Sequence, residues 1–293
     1  MKKFISILTA LTFAAALTVG SSAMLFLGDV NRDGKVNSTD ALSILRYIVG
    51  LDVGGNFDRA AADINGDGAI NSADALSALR ITVGLEKTYE LPSEKQEILS
   101  FYNSALDKTY AKTTEIEETV TDDYGLWVDI PVTDEGQRMN FGPDTYNYFF
   151  TDGLDEYGNA PEDIAPNSLL TEEMIKQISI KKIKNGYEVN LELWFEEAGL
   201  SEVPEIQYCG GVPFYYINDE TDDFEYNGGQ IMYIGTKVTA VINEDGYVES
   251  FDVYVPYESY YSILFDYEGD IYKSEIAEIG YRQHHFDIIT TRR

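Results

Sequence analysis

The sequence predicts a two-domain chain: a small all-α module, followed by an α+β domain with a mostly antiparallel sheet. Three observations predict it. One unit is written twice between Asp29 and Gly84, with every matched pair 34 residues apart. From Thr113 onward the pattern is mostly period two and rich in β-branched and aromatic residues, as in strands. The charge also changes. Residues 28–88 hold 9 acidic and 6 basic side chains, whereas residues 89–293 hold 42 and 13. The expected divisions are 1–23, 24–88 and 89–293.

At 293 residues the chain is long enough for two cores. Its formal net charge of −30 repels nucleic-acid phosphates and anionic lipid heads, which excludes both as partners. With 44% hydrophobic and 13% aromatic residues, it is still a folding sequence. Cys209 is the only cysteine, so no internal disulfide forms and the fold relies on cores and ions. Cys209 itself reads as a small buried or strand-end residue.

Met1–Ala23 has the form of a secretory signal peptide. Lys2 and Lys3 precede the apolar run Phe4–Val19, and Ser21-Ser22-Ala23 supplies small residues at the cleavage site. The expectation is a secreted protein with no membrane attachment after cleavage behind Ala23.

Next comes the repeat, Asp-x-Asn-x-Asp-Gly-x-x-Asn-x-x-Asp. In this spacing, side chains at positions 1, 3, 5, 9 and 12 point inward and position 7 offers a backbone carbonyl. Such an all-oxygen set suits calcium, a hard cation that takes roughly six to eight oxygens at about 2.3–2.6 Å. The first loop supplies Asp29, Asn31, Asp33, Asn37 (directly or through water), Asp40 and the carbonyl of Lys35. The second supplies Asp63, Asn65, Asp67, Asn71, Asp74 and the carbonyl of Ala69. Gly34 and Gly68 take the sharp turn at position 6. Two calcium ions are expected.

A helix starts within the end of each loop. Ser38 and Ser72 are the expected N-caps, with Asp40 and Asp74 in the positive first turn. Leu42, Leu45, Ile48 and Val49 form an apolar stripe that Leu76, Leu79 and Val83 repeat. Gly50 and Gly84 end the helices. No helix is expected before the first loop, so the unit is loop-then-helix, twice.

These two motifs, with Phe57-Asp58-Arg59-Ala60-Ala61-Ala62 between them, resemble a type I dockerin over about Gly28–Leu85. The resemblance implies an antiparallel pair of calcium-loop helices joined by a short helix. It also implies docking onto a cohesin domain of a cellulosome scaffold, outside the cell. Partner contacts are implied at Ser38-Thr39 and Ser72-Ala73, and at Arg46-Tyr47 and Arg80-Ile81. Near-symmetry of the copies would let either helix lead, although Tyr47 against Ile81 and Thr39 against Ala73 break it. Leu25-Phe26-Leu27 and Tyr89 are placed to clasp the two ends of the module.

Glu86–Ser93 reads as a short linker. Ser93 then caps an amphipathic helix running to about Tyr110. Strands are expected at Thr114–Thr121, Trp127–Pro131, Ile178–Lys184, Tyr187–Phe195, Ile231–Asn243, Tyr247–Tyr254 and Ile276–Ile289. Asn185-Gly186 and Asp245-Gly246 mark tight hairpins. Thr171–Gln177 reads as a short helix capped by Thr171, and Tyr257–Phe265 fits either strand or helix.

For chemistry in residues 89–293 the sequence offers little. His284 and His285 are the only histidines, and on a strand they point to opposite faces. There is no Gly-x-Ser-x-Gly and no His-Glu-x-x-His. The pairs Glu117-Glu118, Glu172-Glu173 and Glu196-Glu197 read as solvated faces. Two acidic loops, Thr151–Asp163 and Asn218–Gly229, lack the position-6 glycine of a calcium loop and also read as solvated. The region holds 21 of the 22 tyrosines, among them Tyr146, Tyr148, Tyr208, Tyr215, Tyr216, Tyr254, Tyr257, Tyr260 and Tyr261. Tyrosine suits half-buried strands, and exposed rings also stack on sugars. The expected function is docking by a domain that carries a non-catalytic binding or structural partner domain, with plant cell-wall polysaccharide as a candidate ligand. The alternative is a dockerin-borne hydrolase or esterase acting on plant polysaccharide.

Overall fold

The structure is a computed structural model that describes residues 24–130, 135–151, 169–210 and 225–290. The expected signal peptide lies outside the described residues, as do residues 152–163 of the first acidic loop, residues 218–224 of the second, and Tyr215 and Tyr216; residues 225–229 of the second are strand.

The described chain opens with β1 (Met24–Phe26), followed by α1 (Ser38–Ile48), α2 (Arg59–Ala62), α3 (Ser72–Thr82) and β2 (Glu90–Pro92). β1 and β2 pair antiparallel, with Met24 opposite Pro92, and the Leu27 amide donates to the Tyr89 carbonyl at 2.9 Å. The expected clasp is therefore present. It also corrects the expected linker: Glu86–Ser93 contains the closing strand, held there because Leu91 is buried. Inside the clasp lies a small core of Val30, Ala41, Ile44, Ala61, Ala62, Ile64, Ala75 and Ala78. α1 and α3 meet through small side chains, so the two backbones lie close together.

After α4 (Lys95–Tyr110) come β3 (Thr113–Ile130), β4 (Glu135–Thr151), β5 (Ile175–Ile183), β6 (Gly186–Leu193) and β7 (Glu196–Gly199). Then follow α5 (Glu205–Gly210), β8 (Glu225–Tyr233), β9 (Lys237–Asn243), β10 (Val248–Tyr267) and β11 (Asp270–Thr290). Together they form a nine-stranded sheet whose main path runs β4-β3-β11-β10-β9-β6-β5, with β8 and β7 joined to the far half of β10. Every strand pairing among the described residues is antiparallel. The register places Val189, Ala240, Phe251 and Phe286 in one row. That face forms the core with Ile98, Leu99, Tyr102 and Ala105 of α4. Removal of this apolar surface from water is the main stabilising term of the region.

Several expected elements change. Thr114–Thr121 and the described part of Trp127–Pro131, up to Ile130, belong to one strand, β3, because pairing with β11 carries the chain through the polar stretch between them; Pro131 lies outside the described residues. Ile231–Asn243 is two strands, broken at Gly235, whose φ of +77° lies outside strand geometry. Thr171–Gln177 is only a 3-10 turn at Glu172–Met174, after which Ile175 is fully buried at the start of β5. The N-cap of α4 is Glu94 rather than Ser93. Tyr257–Phe265 is strand. β4, α5 and the Glu268-Gly269 turn joining β10 to β11 were not foreseen. Both foreseen hairpins occur, between β5 and β6 and between β9 and β10.

The module and the sheet meet closely at the turn between β5 and β6. A β-carbon on Gly66 would lie 2.6 Å from the Ile183 backbone, at the β5–β6 turn. Beside it, the buried Lys182 ammonium donates to the Ile183 carbonyl at 2.8 Å and pairs with Glu244 at 3.2 Å. The ammonium also lies 5.1 Å from the centre of the Tyr89 ring.

The second turn residue, Gly186, is a sensitive point of the sheet. A β-carbon there would lie 2.0 Å from the Ile242 carbonyl oxygen on the neighbouring strand. Gly186→Ala should lower the unfolding free energy by about 2 kcal/mol or more, read by urea denaturation.

Candidate functional site

The two loops share one backbone-to-side-chain pattern, and the second adds bonds from the Asn65 and Asn71 side-chain amides to Asp67 and from the Ile64 amide to Asp74. In the first, Asp29 accepts from the amides of Asp33 (3.0 Å) and Gly34 (2.8 Å), and Asn31 accepts from the Asp33 amide at 2.8 Å. In the second, Asp63 accepts from Asp67 (3.1 Å) and Gly68 (2.9 Å), and Asn65 accepts from the Asp67 amide at 2.9 Å. Asp33 and Asp67 each accept from the amide two residues on, Lys35 and Ala69, at 3.0 and 2.9 Å. The position-6 glycines turn at φ +83° and +85°.

The last loop residue starts each helix. Asp40 accepts from the amides of Asn37 (2.9 Å) and Asn31 (3.3 Å), and Asp74 does so from Asn71 (2.9 Å) and Asn65 (3.2 Å). Asn37 and Asn71 accept in return from the Thr39 and Ala73 amides, each at 2.8 Å. These are reciprocal capping boxes. The caps are thus Asn37 and Asn71, not Ser38 and Ser72, because the chain is still extended one residue before each serine. Each asparagine is both a loop residue and a cap.

Asp40 and Asp74 are fully buried, and burial pushes both carboxyl groups above the usual range. Their hydrogen bonds come from backbone amides. A buried carboxylate of this kind calls for a positive partner. Among the described residues no three carboxylate, imidazole or thiol side chains stand together closely enough to hold a metal ion unaided. The loops draw on a wider set, adding two asparagines and a backbone carbonyl to three carboxylates in each copy. That all-oxygen set, wrapped in the same order twice around a left-handed glycine, fits a hard cation.

The helices present an unexpected face. Leu42, Leu45 and Val49 are 56%, 42% and 68% exposed, and their counterparts Leu76, Leu79 and Val83 are 51%, 42% and 68% exposed. The expected stripes are therefore not core stripes. Burial of Asp40 and Asp74 turns the next helix positions, Ala41 with Ile44 and Ala75 with Ala78, inward and leaves the leucines outside. Ser38, Thr39, Ser72, Ala73, Arg46 and Arg80 are exposed beside these stripes. Tyr47 and Ile81 are half-buried instead. Tyr47 stacks on Phe57 at 4.9 Å beneath the Arg59 guanidinium, and Ile81 packs on the module core. Arg46 is partly engaged, donating to the Asp52 carbonyl at 2.7 Å.

In the sheet, His284 and His285 do face opposite ways. His284 is buried against Glu118 (2.7 Å), and His285 is half-exposed beside Asp252 (2.8 Å) and Asp287 (3.5 Å). Neither hydrogen-bonds a hydroxyl among the described residues. Glu118 is thus a buried partner rather than a solvated residue. Glu196 likewise caps α5, accepting from the Ile206 and Gln207 amides at 2.9 and 3.1 Å. Glu278, buried and bonded to the Tyr257 hydroxyl at 2.5 Å, has its carboxyl pushed up by burial. Cys209 is half-buried in α5, and burial raises its thiol. Tyr146, Tyr148, Tyr208, Tyr254 and Tyr260 are exposed, whereas Tyr257 is core and Tyr261 packs on the core.

The two helix faces should respond differently to truncation. Ile44→Ala should destabilise the calcium-loaded module by about 2–5 kcal/mol. Leu42→Ala and Leu76→Ala should each change it by only about 0.5 kcal/mol. Thermal unfolding followed by circular dichroism separates the two cases.

The family model for the Dockerin type I domain matches residues 27–78. Dockerin domains bind calcium and dock onto cohesins in cellulosome-type assemblies. No curated protein and no solved structure matches the chain significantly. With its paired loop-helix units inside the matched span, the chain carries a type I dockerin domain at residues 27–78.

Proposed function

We propose that this chain is an exported cellulosome-type component. It docks through residues 24–92 onto a cohesin when two calcium ions are bound, and it carries a sheet domain that serves as a binding module. The observation that carries the docking reading is the pair of outward apolar stripes. Leu42, Leu45 and Val49 on one helix, and Leu76, Leu79 and Val83 on the other, leave the same surface uncovered twice. Exposed apolar side chains rimmed by polar groups are the usual mark of a protein contact. Here the polar rim is Ser38, Thr39 and Arg46 on α1, and Ser72 and Arg80 on α3, with Ala73 exposed in place of the threonine.

Each ion would be held by the five loop side chains and the Lys35 or Ala69 carbonyl. Its charge would neutralise Asp40 or Asp74, fix the loop, and with it fix the start of the helix that bears the stripe. Binding only to the folded module, the ions would also stabilise it. The two copies offer two near-equivalent faces, so either helix could lead. The copies differ at Tyr47 and Ile81, whose side chains face inward and alter packing, and at Thr39 and Ala73, which are exposed and alter the contact surface.

A panel of cohesins, assayed with the full chain in calcium and then in excess EDTA, tests this reading. Binding should appear with at least one cohesin and vanish with chelator. The double variant Leu42→Asp/Leu45→Asp should leave one face working and weaken binding only a few-fold. Adding Leu76→Asp/Leu79→Asp should weaken it by about a hundredfold or more. Unchanged binding in EDTA, or in the fourfold variant, would sink the proposal.

A further inference from the structure

On the sheet face away from α4, the strand register gathers a set of residues that the docking module does not use. Gly125 lies opposite both Ile279 and Asn140, and Trp127 lies opposite both Ala277 and Arg138. With Asp123 and Tyr281 they line an open depression of about 520 Å³, within the range of small-ligand sites. Its lining includes the small residues Gly125 and Ala277, with Ile279 between Ala277 and Tyr281 on the same face.

The ring of Trp127 is placed as a platform. A β-carbon on Gly136 would lie 2.6 Å from indole Cζ2, so the ring rests against that glycine on β4. One side is pinned, yet the residue is still 44% exposed. At the other end Tyr281 packs 5.2 Å from Tyr254, and its hydroxyl lies 3.4 Å from an Asp123 oxygen. Between the rings, the Asn140 amide lies across the floor, its oxygen 3.2 Å from where a Gly125 β-carbon would stand.

We infer that this depression binds a neutral polysaccharide, one sugar ring lying on the free face of Trp127 with hydroxyls bonded to Asn140, Arg138 and Asp123. The chemistry selects that occupant. Flat rings accept the C–H face of a sugar, and planar amide, guanidinium and carboxylate groups match vicinal hydroxyls. Asp123 and Arg138 bring one charge of each sign, so the rim favours no ion. Across residues 89–293, 42 acidic side chains against 13 basic repel an anionic polymer. The inference deepens the reading of the sheet domain as a binding module, and rests on it.

The test uses the full chain with calcium, run by affinity electrophoresis through gels containing mixed-linkage β-glucan, xylan or glucomannan. At least one should retard the protein. Trp127→Ala, and Ala277→Gln, which fills the depression while keeping the indole, should each weaken retardation on the order of tenfold. The only other tryptophan is Trp194. Trp194→Phe should bind normally and report ligand through a shift of Trp127 fluorescence. Retardation that both variants leave intact would remove this depression while sparing the binding-module reading. No retardation by any of the three, or retardation only by an acidic polysaccharide or displacement by a cationic peptide, would overturn the inference itself. Cohesin binding by each variant, read in parallel, separates these results from loss of the docking module.

Discussion

The docking module depends on how two buried carboxylates are neutralised. Asp40 and Asp74 sit at zero exposure at the point where loop becomes helix, held by backbone amides alone. Everything near them follows. Their burial sets which helix positions face inward, so the small residues Ala41, Ala75 and Ala78 make the α1–α3 contact. It leaves the leucines of both helices in solvent. A core of eight mostly small buried residues removes little apolar surface from water. A module of this size needs a further source of stability, and calcium, which dockerin domains bind, suits its loop oxygens.

The repeat is symmetric in its ligands and its stripes but not in its surroundings. Arg32 in the first loop pairs with Asp58 at 3.0 Å. Its counterpart 34 residues on is Gly66, which meets the Ile183 backbone so closely that a β-carbon would collide with it. The second loop thereby rests on the β5–β6 turn, next to the Lys182 cluster, while the first makes its pair within the module. The β1–β2 clasp fixes both ends of the module close to the same point. The two exposed helix stripes are thus mounted unequally on the domain that the module carries.

Much of the module was legible in the sequence, because each loop slot has its own chemical reason. The all-oxygen spacing, the position-6 glycines and the terminal Gly50 and Gly84 are all local signals. What the sequence hid was direction. A stripe at 3.6-residue spacing does not say whether it meets a core or a partner. Here the burial of Asp40 and Asp74 decided that, against the usual preference of leucine for the interior. The caps were misread by one residue because serine and asparagine are both good caps. In the sheet, the hairpins at Asn185-Gly186 and Asp245-Gly246 were readable from their turns. β4 was not, since its residues are nearly all exposed and carry no alternation to read. The Trp127 depression was equally hidden. Gly125, Gly136, Ala277 and Tyr281 come from three strands and meet only through register.

The two halves differ in what they present: loop oxygens on one side, and aromatic rings beside small residues on the other. The central claim is that the loops are ion sites that hold the docking helices in place. Calorimetric titration of the full chain with calcium tests it most directly, alongside Asp40→Ala and Asp74→Ala variants. The account predicts two ions per chain, one lost in each variant. Absence of calcium binding by the full chain, or an unchanged stoichiometry in both variants, would contradict it.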